Sequence, residues 1–299
     1  MLFWLIGKVI RILSVFLAIK IVKMIAQYIE WGPKSYLFQI GGFELRWYSL
    51  CFALAFYLGY KIVKGIFDKE KIEESVLDKL LMYMVIATVL GARLGHVIFY
   101  EGLSFIVSHP IETFLPFRIY PEFEFTGFSG LASHGGAIGI LIALYFFSKK
   151  ISKKPMLWIL DRVAPAIALA SCFIRTGNLM NSEIIGNPTE LPWGFVFTQI
   201  DNIPRHPAQL YEALSYLIIF LVLYKGLKKK DWLSYPGKLF GFMVLSIFTA
   251  RFLIEFVKKS QGGFEESWEL LSTGQWLSMP FIALGIYLLQ KSKQKKAVS

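Results

Sequence analysis

Two arginines stand inside or directly beside long apolar stretches of this chain, where an ionised side chain is costly. Arg175 follows the apolar segment 156–174, and Arg251 lies within the segment 237–257, with Glu255 four residues later. A planar guanidinium group binds two phosphate oxygens through parallel N–H bonds, which a lysine ammonium group cannot do. These residue types in this setting indicate the binding of a phosphate group.

Other costly polar side chains recur in neighbouring apolar segments. They are Tyr48, Arg93, His134, Asn178, Asn181, Glu183, His206, Gln209, Tyr211 and Lys258. A helix rises about 1.5 Å per residue, so Arg93 would lie about 22 Å beyond Asp78, and Arg251 about 20 Å beyond Lys238. Counted in this way, several segments bring polar groups to the same half of a membrane. We therefore expect one shared cationic cavity that binds the headgroup of an anionic lipid.

Structural alternatives remain open for several of these residues. Arg251 and Glu255 could form only an ion pair within one helix. Arg93 could pair with Glu101 or Glu183 for packing alone.

His134 lies among glycines, in the sequence Gly130-Leu-Ala-Ser-His134-Gly-Gly136. Glycines permit close helix approach, and the free amides at a helix start favour an anion. His134 could equally be a histidine that only packs between helices. Asp161 and Arg162 are expected to have structural or topological roles.

The sequence predicts neither a metal site nor a cofactor. The four histidines are spread over separate segments, with none at i, i+4 spacing. The two cysteines, Cys51 and Cys172, both lie in apolar segments and form no close-spaced pair, so we expect them in the core.

The composition is that of an integral membrane protein. Hydrophobic side chains make up 55% of the 299 residues and charged ones 18%, against about a quarter in soluble domains, and the mean hydropathy is +0.53. The net charge of +11 is scattered between apolar segments, so it argues for membrane topology and against nucleic acid as a partner.

The periodicity and the apolar runs predict an all-α fold in three parts. Residues 1–32 form an amphipathic helix that lies in the membrane interface, 45–291 form a transmembrane domain, and 292–299 are a basic cytoplasmic tail. Seven transmembrane helices are predicted at about 47–63, 80–107, 131–147, 156–174, 207–224, 237–257 and 275–290.

The distribution of cations predicts the topology. Lysines are concentrated in the alternate loops within 61–79, 149–154 and 225–238 and in the tail 291–296, which marks that side as cytoplasmic. The opposite loops are poor in cations, so the amino end lies outside and the carboxyl end inside. The loops 101–129 and 175–206 are then turn-rich and external.

The block Arg175-Thr-Gly-Asn178-Leu-Met-Asn181-Ser-Glu183 resembles the R-x-G-N-F-x-N-x-E signature of the prolipoprotein diacylglyceryl transferase family. Four further blocks agree in order: Gly91-Ala-Arg93-Leu-Gly-His96-Val-Ile-Phe-Tyr100, Ser133-His134-Gly-Gly136, Arg205-His-Pro-Ala-Gln-Leu-Tyr-Glu212 and Arg251-Phe-Leu-Ile-Glu255. The resemblance covers about residues 45–290. The family's final arginine corresponds to Lys258 here.

The resemblance implies a bacterial inner-membrane enzyme whose active site faces the outer leaflet. Phosphatidylglycerol is the implied lipid donor, the lipobox cysteine in the signal peptide of a prolipoprotein is the acceptor, and glycerol phosphate is released. Arg175 and Arg251 match the family's essential arginines, and His134 matches its proposed base. Tyr48, Asn178, Glu183 and Glu255 match further polar residues of the family's site.

Thioether formation requires a thiolate and a leaving group whose negative charge is stabilised. We expect Arg175 and Arg251 to bind the phosphate and support its departure. Either His134 takes the thiol proton or the two arginines lower the thiol pKa directly. A transporter of lipid headgroups and a non-catalytic lipid-binding paralogue are the alternative functions.

Overall fold

The computed structural model describes residues 28–41, 43–115, 117–119, 122–125, 130, 132–227, 230–260 and 271–294. The predicted amphipathic helix lies mainly within residues 1–27, outside this part of the chain. Its predicted end is wrong, because Ile29–Trp31 is a β-strand. The last residues of the predicted tail, 295–299, also lie outside the described part, and residues 292–294 belong to a helix.

The described part of the chain is mainly helical, as the sequence predicts. Its helices are α1 (Trp47–Lys69), α2 (Glu74–His96), α3 (Leu103–Ser108), α4 (Pro110–Phe114), α5 (Ser133–Phe147), α6 (Met156–Met180), α7 (Ala208–Gly226), α8 (Lys230–Leu233), α9 (Lys238–Ile254) and α10 (Thr273–Gln294). Short tighter or wider turns continue three of them: Val97–Glu101 after α2, Ser148–Ser152 after α5 and Glu255–Val257 after α9.

Six helical stretches are long and apolar enough to cross a membrane. They are Trp47–Lys69, Glu74–Glu101, His134–Ser152, Met156–Met180, Ala208–Gly226 and Lys238–Val257. They coincide with the first six predicted segments. The seventh, 275–290, is indeed helical as part of α10, but α10 is not among the six. Gln275, Ser278 and Pro280 in its first half lower its hydropathy, so a seventh span remains a prediction.

Short strands correct the prediction of an entirely helical fold. They are β1 (Ile29–Trp31), β2 (Tyr36–Ile40), β3 (Phe43–Arg46), β4 (Phe117–Arg118), β5 (Glu124–Phe125), β6 (Phe195–Phe197) and β7 (Pro204–Arg205). Strand β1 pairs in parallel with β6, which pairs antiparallel with β7, whereas β2–β3 and β4–β5 are separate two-stranded pairs. The indole N–H of Trp31 also donates to the Leu179 carbonyl oxygen at 2.8 Å, which holds β1 against the end of α6.

The chain forms two compact units, each with its own hydrophobic core. The first unit is Met1–Phe56, Ala168–Val222 and Met243–Ile286, and the second is Tyr57–Ile167, Leu223–Phe242 and Tyr287–Ser299. Buried side chains of the first core are Leu179, Ile185, Phe195 and Phe197. Those of the second include Phe67, Leu80, Leu144, Phe147, Ile159 and Val163.

Glycines bring α2 and α5 into backbone contact within the second unit. A Cβ atom on Gly91 would lie 2.6 Å from the Gly135 carbonyl oxygen, and one on Gly95 would lie 2.5 Å from the Gly135 Cα. The Ala132 N–H donates to the Ala92 carbonyl oxygen at 2.9 Å beside this contact. The predicted close helix approach is confirmed, because only hydrogen atoms fit between the two backbones.

Asp161 and Arg162 have the structural roles expected of them. Asp161 accepts hydrogen bonds from the backbone N–H groups of Gly237 (2.6 Å) and Phe240 (2.9 Å), so it caps the first turn of α9. Arg162 donates through Nε and Nη2 to the two carboxylate oxygens of Glu70 at 2.6 and 2.5 Å. Both contacts lie within the second unit.

A methyl group between α2 and α5 should destabilise the protein. In Gly91→Ala the new Cβ meets backbone atoms that cannot rotate away, so we expect a loss of about 1–3 kcal/mol in the free energy of unfolding. Gly65→Ala is the control, because its Cβ would meet nothing within 4 Å. The control should be unchanged or more stable by about 0.5–1 kcal/mol. Unfolding in detergent measures both, and equal stabilities of the two variants would contradict the packing described.

Candidate functional site

A fully buried carboxylate, Glu212 in α7, lies between two cations in the first unit. Its Oε2 is 2.8 Å from Arg175 Nε in α6, and its Oε1 is 3.2 Å from Lys258 Nζ, just beyond α9. An ionised carboxylate in a low-dielectric interior requires such partners. Glu212 therefore joins side chains from three parts of the chain.

Lys258 is shared between two carboxylates. Besides Glu212, its ammonium group contacts Glu255 Oε2 at 3.0 Å. Glu255 opens the tight turn Glu255–Val257, and it also packs against Gly274 in the first turn of α10, where a Cβ would collide with the carboxylate. The ion pair of Glu255 is thus made with the residue three positions later and not with Arg251.

Arg251 is the cation for which the described residues provide no carboxylate. Its Nε is buried without a hydrogen-bond partner among them. Arg251 and Arg175 nevertheless both act electrostatically on the phenol of Tyr216 in α7. The two arginines that the sequence singles out therefore lie about the same tyrosine.

The charges correct the expectation of a strongly cationic cavity. Arg175 and Lys258 pair with Glu212 and Glu255, and Asn178 links Arg175 to a third carboxylate, that of Glu183. With Arg251 the site therefore holds three cations and three carboxylates. Arg251 is the one of these cations that has no carboxylate partner among the described residues.

Amide side chains extend the site from Arg175 to Glu183. Arg175 Nη1 donates to Asn178 Oδ1 at 3.3 Å, and Asn178 Nδ2 donates to one Glu183 carboxylate oxygen at 2.8 Å. Asn181 Nδ2 donates to the other oxygen at 3.0 Å, and the Gln209 amide N–H donates to the Glu183 carbonyl oxygen. Both oxygens of the Glu183 carboxylate are therefore held by amides, which fixes this turn after α6.

The turn that carries Glu183 is locally strained. Ser182 and Ile184, on either side, both have left-handed backbone conformations with φ of 54° and 57°. A branched residue such as isoleucine adopts this region only when the surrounding structure enforces it. Here the hydrogen bonds to the Glu183 side chain and carbonyl provide that enforcement.

Tyr48 lies in the first turn of α1 and packs against α6 beside the same cluster. A Cβ on Gly177 would lie 2.8 Å from Tyr48 Cδ2, so the glycine admits the tyrosine ring. Gly177 stands between Arg175 and Asn178 in the chain. The structure therefore places the predicted Tyr48, Arg175 and Asn178 side by side.

His206 and Tyr211 form a further polar pair in the first unit. The Tyr211 hydroxyl is 3.2 Å from His206 Nδ1 and accepts a hydrogen bond from the Trp193 indole N–H at 3.0 Å. Partial burial lowers the pKa of His206, so the imidazole is neutral at pH 7. The His206 backbone exchanges hydrogen bonds with Gly186 and Asn187, which fixes the ring beside the turn after α6.

Two predicted site residues belong to the second unit. His134 lies in the first turn of α5 and is exposed. Arg93 is buried, donates to the Glu112 carbonyl oxygen at 3.0 Å and lies 3.5 Å from Glu101 Oε1. The structural alternative of pairing with Glu101 is thus realised for Arg93. A contact of either residue with lipid remains a prediction.

Sequence reasoning left Glu212 and Tyr216 out of the candidate site residues. Glu212 lies four residues into the apolar helix α7. An ionisable residue buried there needs an explanation as much as the two arginines do. Tyr216 follows one helical turn later on the same face, which is the spacing that would have indicated it.

Comparison with known proteins gives one consistent result. The family model described as prolipoprotein diacylglyceryl transferase matches residues 35–291. A phosphatidylglycerol–prolipoprotein diacylglyceryl transferase of Tolumonas auensis is 44% identical over 270 residues, which cover 89% of this chain and 98% of the relative. Proteins with the same name from Bacteroides fragilis and Chloroherpeton thalassium are 42% and 41% identical, and the matches cover 90% and 89% of this chain and 97% and 95% of those relatives.

Removing the shared cation should destabilise the first unit in a pH-dependent way. Lys258→Met leaves two buried carboxylates close together, so we expect a loss of about 3–5 kcal/mol in the free energy of unfolding near neutral pH. The loss should shrink as the pH falls, because protonation removes the repelling charge. Lys34→Met, at an exposed position of the first unit, should change stability by less than about 0.5 kcal/mol. A pH-independent loss in Lys258→Met would contradict the paired carboxylates.

Proposed function

Because this chain belongs to the prolipoprotein diacylglyceryl transferase family, we propose that it transfers the diacylglyceryl group of phosphatidylglycerol to a prolipoprotein. The acceptor is the thiol of the lipobox cysteine in the signal peptide. The carbon–oxygen bond between the diacylglycerol and the phosphate breaks, and a carbon–sulfur bond forms. Glycerol phosphate leaves with the bonding electron pair, and the thiol gives up its proton.

One observation carries the assignment of the phosphate site. Arg251 has a buried Nε without a hydrogen-bond partner among the described residues, yet it shares the phenol of Tyr216 with Arg175. Phosphatidylglycerol brings one negative charge, which pairs with the guanidinium group of Arg251. Arg175 and Arg251 bind the phosphate and stabilise the charge that develops as it leaves, an effect that is large where water is excluded.

His134 is the base that receives the thiol proton, or the thiol loses its proton without a dedicated base. His134 is exposed in the first turn of α5 and is therefore accessible to a substrate thiol. In the alternative, the charges of Arg175 and Arg251 lower the pKa of the substrate thiol sufficiently for it to ionise.

The remaining polar residues contact the lipid or orient those that do. These residues are Tyr48, Arg93, Asn178, Asn181, Glu183, His206, Gln209, Tyr211, Glu255 and Lys258. The hydrogen bonds that run from Arg175 through Asn178 to Glu183 support this role for the turn after α6. Lys258 and Glu255 neutralise each other and act mainly by fixing the surroundings of the arginines.

The protein lies in the bacterial inner membrane with seven spans, its amino end outside and its carboxyl end inside. Helix α10 is the seventh span, because its 22 residues are about 33 Å long and it packs on α9. The rings of Phe248 and Phe281 stack at 4.2 Å between centroids, and Gly285 faces Leu245. The lysine-rich loops are cytoplasmic, which places the arginine cluster towards the outer leaflet.

A reconstituted reaction tests the function directly. Purified protein in vesicles of phosphatidylglycerol should increase the mass of a lipobox peptide by one diacylglyceryl unit, as measured by mass spectrometry. The same peptide with serine in place of its cysteine should gain nothing. Transfer of lipid across the vesicle without a modified peptide would favour a transporter, and binding without either would favour a non-catalytic paralogue.

The bidentate binding of phosphate predicts that lysine cannot replace Arg251. Arg251→Lys keeps the charge but loses one of two charge-assisted hydrogen bonds, so kcat/KM should fall by about 10–100-fold. Arg46→Lys, at an exposed arginine of the first unit, should leave kcat/KM unchanged. Near-normal turnover of Arg251→Lys would show that charge alone suffices.

A further inference from the structure

Strand β1 lies at one edge of the three-stranded sheet in the first unit. The Ile29 N–H donates to the Gly194 carbonyl oxygen at 3.1 Å. The Trp31 carbonyl oxygen accepts a hydrogen bond from the Thr198 N–H at 3.0 Å. Alternate residues of a parallel strand direct their backbone groups to the same neighbouring strand. Glu30, between these two residues of β1, therefore directs both its N–H and its C=O away from β6.

No described residue pairs with this side of β1. Glu30 and Gly32 are exposed, and the backbone of neither makes a hydrogen bond to a described residue. The opposite edge of the sheet differs, because Arg205 in β7 pairs with Pro188. An uncovered strand edge readily pairs with further extended chain. The open edge of β1 thus offers backbone donors and acceptors to another polypeptide.

Strand β1 is fixed to the helix that carries Arg175. The Trp31 indole N–H donates to the Leu179 carbonyl oxygen at 2.8 Å, and the Gln199 side-chain amide donates to the Pro33 carbonyl oxygen at 2.6 Å. Leu179 lies four residues beyond Arg175 in α6, which is about 6 Å along the helix. An extended chain covers about 3.3 Å per residue. A few extended residues are therefore enough to lead from the phosphate site to β1.

We propose that the open edge of β1 binds the residues that follow the acceptor cysteine of the prolipoprotein, as an added β-strand. This inference rests on the proposed function, which brings that cysteine to the phosphate held by Arg175 and Arg251. Backbone groups of a chain that leaves a membrane helix need new hydrogen-bond partners, and the Glu30 backbone provides them. Main-chain hydrogen bonds give affinity without reading side chains. The surface therefore suits acceptors whose sequences differ after the cysteine.

The charges beside β1 indicate which part of the acceptor binds there. Glu30 and Lys34 are both exposed, so this edge lies in polar surroundings. A charged side chain is costly in contact with apolar segments of a membrane. The occupant is thus the polar chain after the cysteine and not the apolar part of the signal peptide.

A proline at position 30 tests the backbone contact. Glu30→Pro removes the N–H that points away from β6 and preserves the bonds made by Ile29 and Trp31, and proline is tolerated on the open side of an edge strand. Glu30→Gln is the matched control, because it removes the charge and keeps the N–H.

The measurement is the fluorescence anisotropy of a labelled lipobox peptide with serine in place of its cysteine, bound to the full chain in detergent. Loss of one hydrogen bond should raise the Kd about 3–10-fold in Glu30→Pro, and the Kd should change by less than about twofold in Glu30→Gln. Equal Kd values in the two variants would overturn the proposal.

Modified peptides test the same contact on the wild-type protein, so no variant has to fold. Successive residues of a strand direct their N–H groups to opposite sides. One peptide carries N-methyl groups on the second and fourth residues after the serine, and the other carries them on the third and fifth. One of the two should bind at least about fivefold more weakly than the other, because only one set faces β1. Equal binding of the two peptides would refute strand addition.

Binding and transfer together separate this inference from the proposed function. If wild type binds the peptides with the expected alternation but does not modify the cysteine peptide, the proposed function fails while the surface on β1 stands. If wild type modifies the cysteine peptide but binds the two N-methyl peptides equally, the function stands and the surface fails. A wild type that binds no acceptor peptide would contradict both.

Discussion

An ionised group in an apolar interior must find its counter-charge inside the protein. In the first unit this constraint converges on Glu212, whose two oxygens bind cations from α6 and from the end of α9. Three separate stretches of chain are therefore bound to one another by charge and not only by apolar packing. Arg251 has no carboxylate partner among the described residues, because Glu212 and Glu255 already pair with Arg175 and Lys258. The Nε atom of this partly buried cation therefore has no hydrogen-bond partner among the described residues.

The second unit obeys the constraint differently. Its charges are arranged as closed pairs, such as Arg162 with Glu70, or as a cap in which Asp161 binds backbone N–H groups at the start of α9. No charge of these pairs is left over, so they fix helices and leave no binding capacity. Glycine contacts between α2 and α5 add rigidity, because two backbones in direct contact have no side chain that can change rotamer.

The apolar segments could be predicted from the sequence, because the free-energy cost of exposing them to water depends on their composition. The ion-pair partners could not be predicted in this way. Spacing alone favours Arg251 with Glu255, four residues apart in a helix. The chain instead tightens at Glu255–Val257, and with three residues per turn Lys258 comes to lie over Glu255. The parallel pairing of β1 with β6 could not be predicted from the sequence either, since it joins residues far apart in the chain.

The pairing of β1 with β6 also has a consequence for biosynthesis. Ile29 lies opposite Phe195, so the earlier strand leaves the ribosome long before its partner exists. At cellular rates of translation the interval is roughly 10–30 s. During that time Trp31 has neither Phe195 beside its ring nor the Leu179 carbonyl for its indole N–H. The nascent chain must therefore keep β1 from pairing with other segments while the four membrane helices that follow it are synthesised.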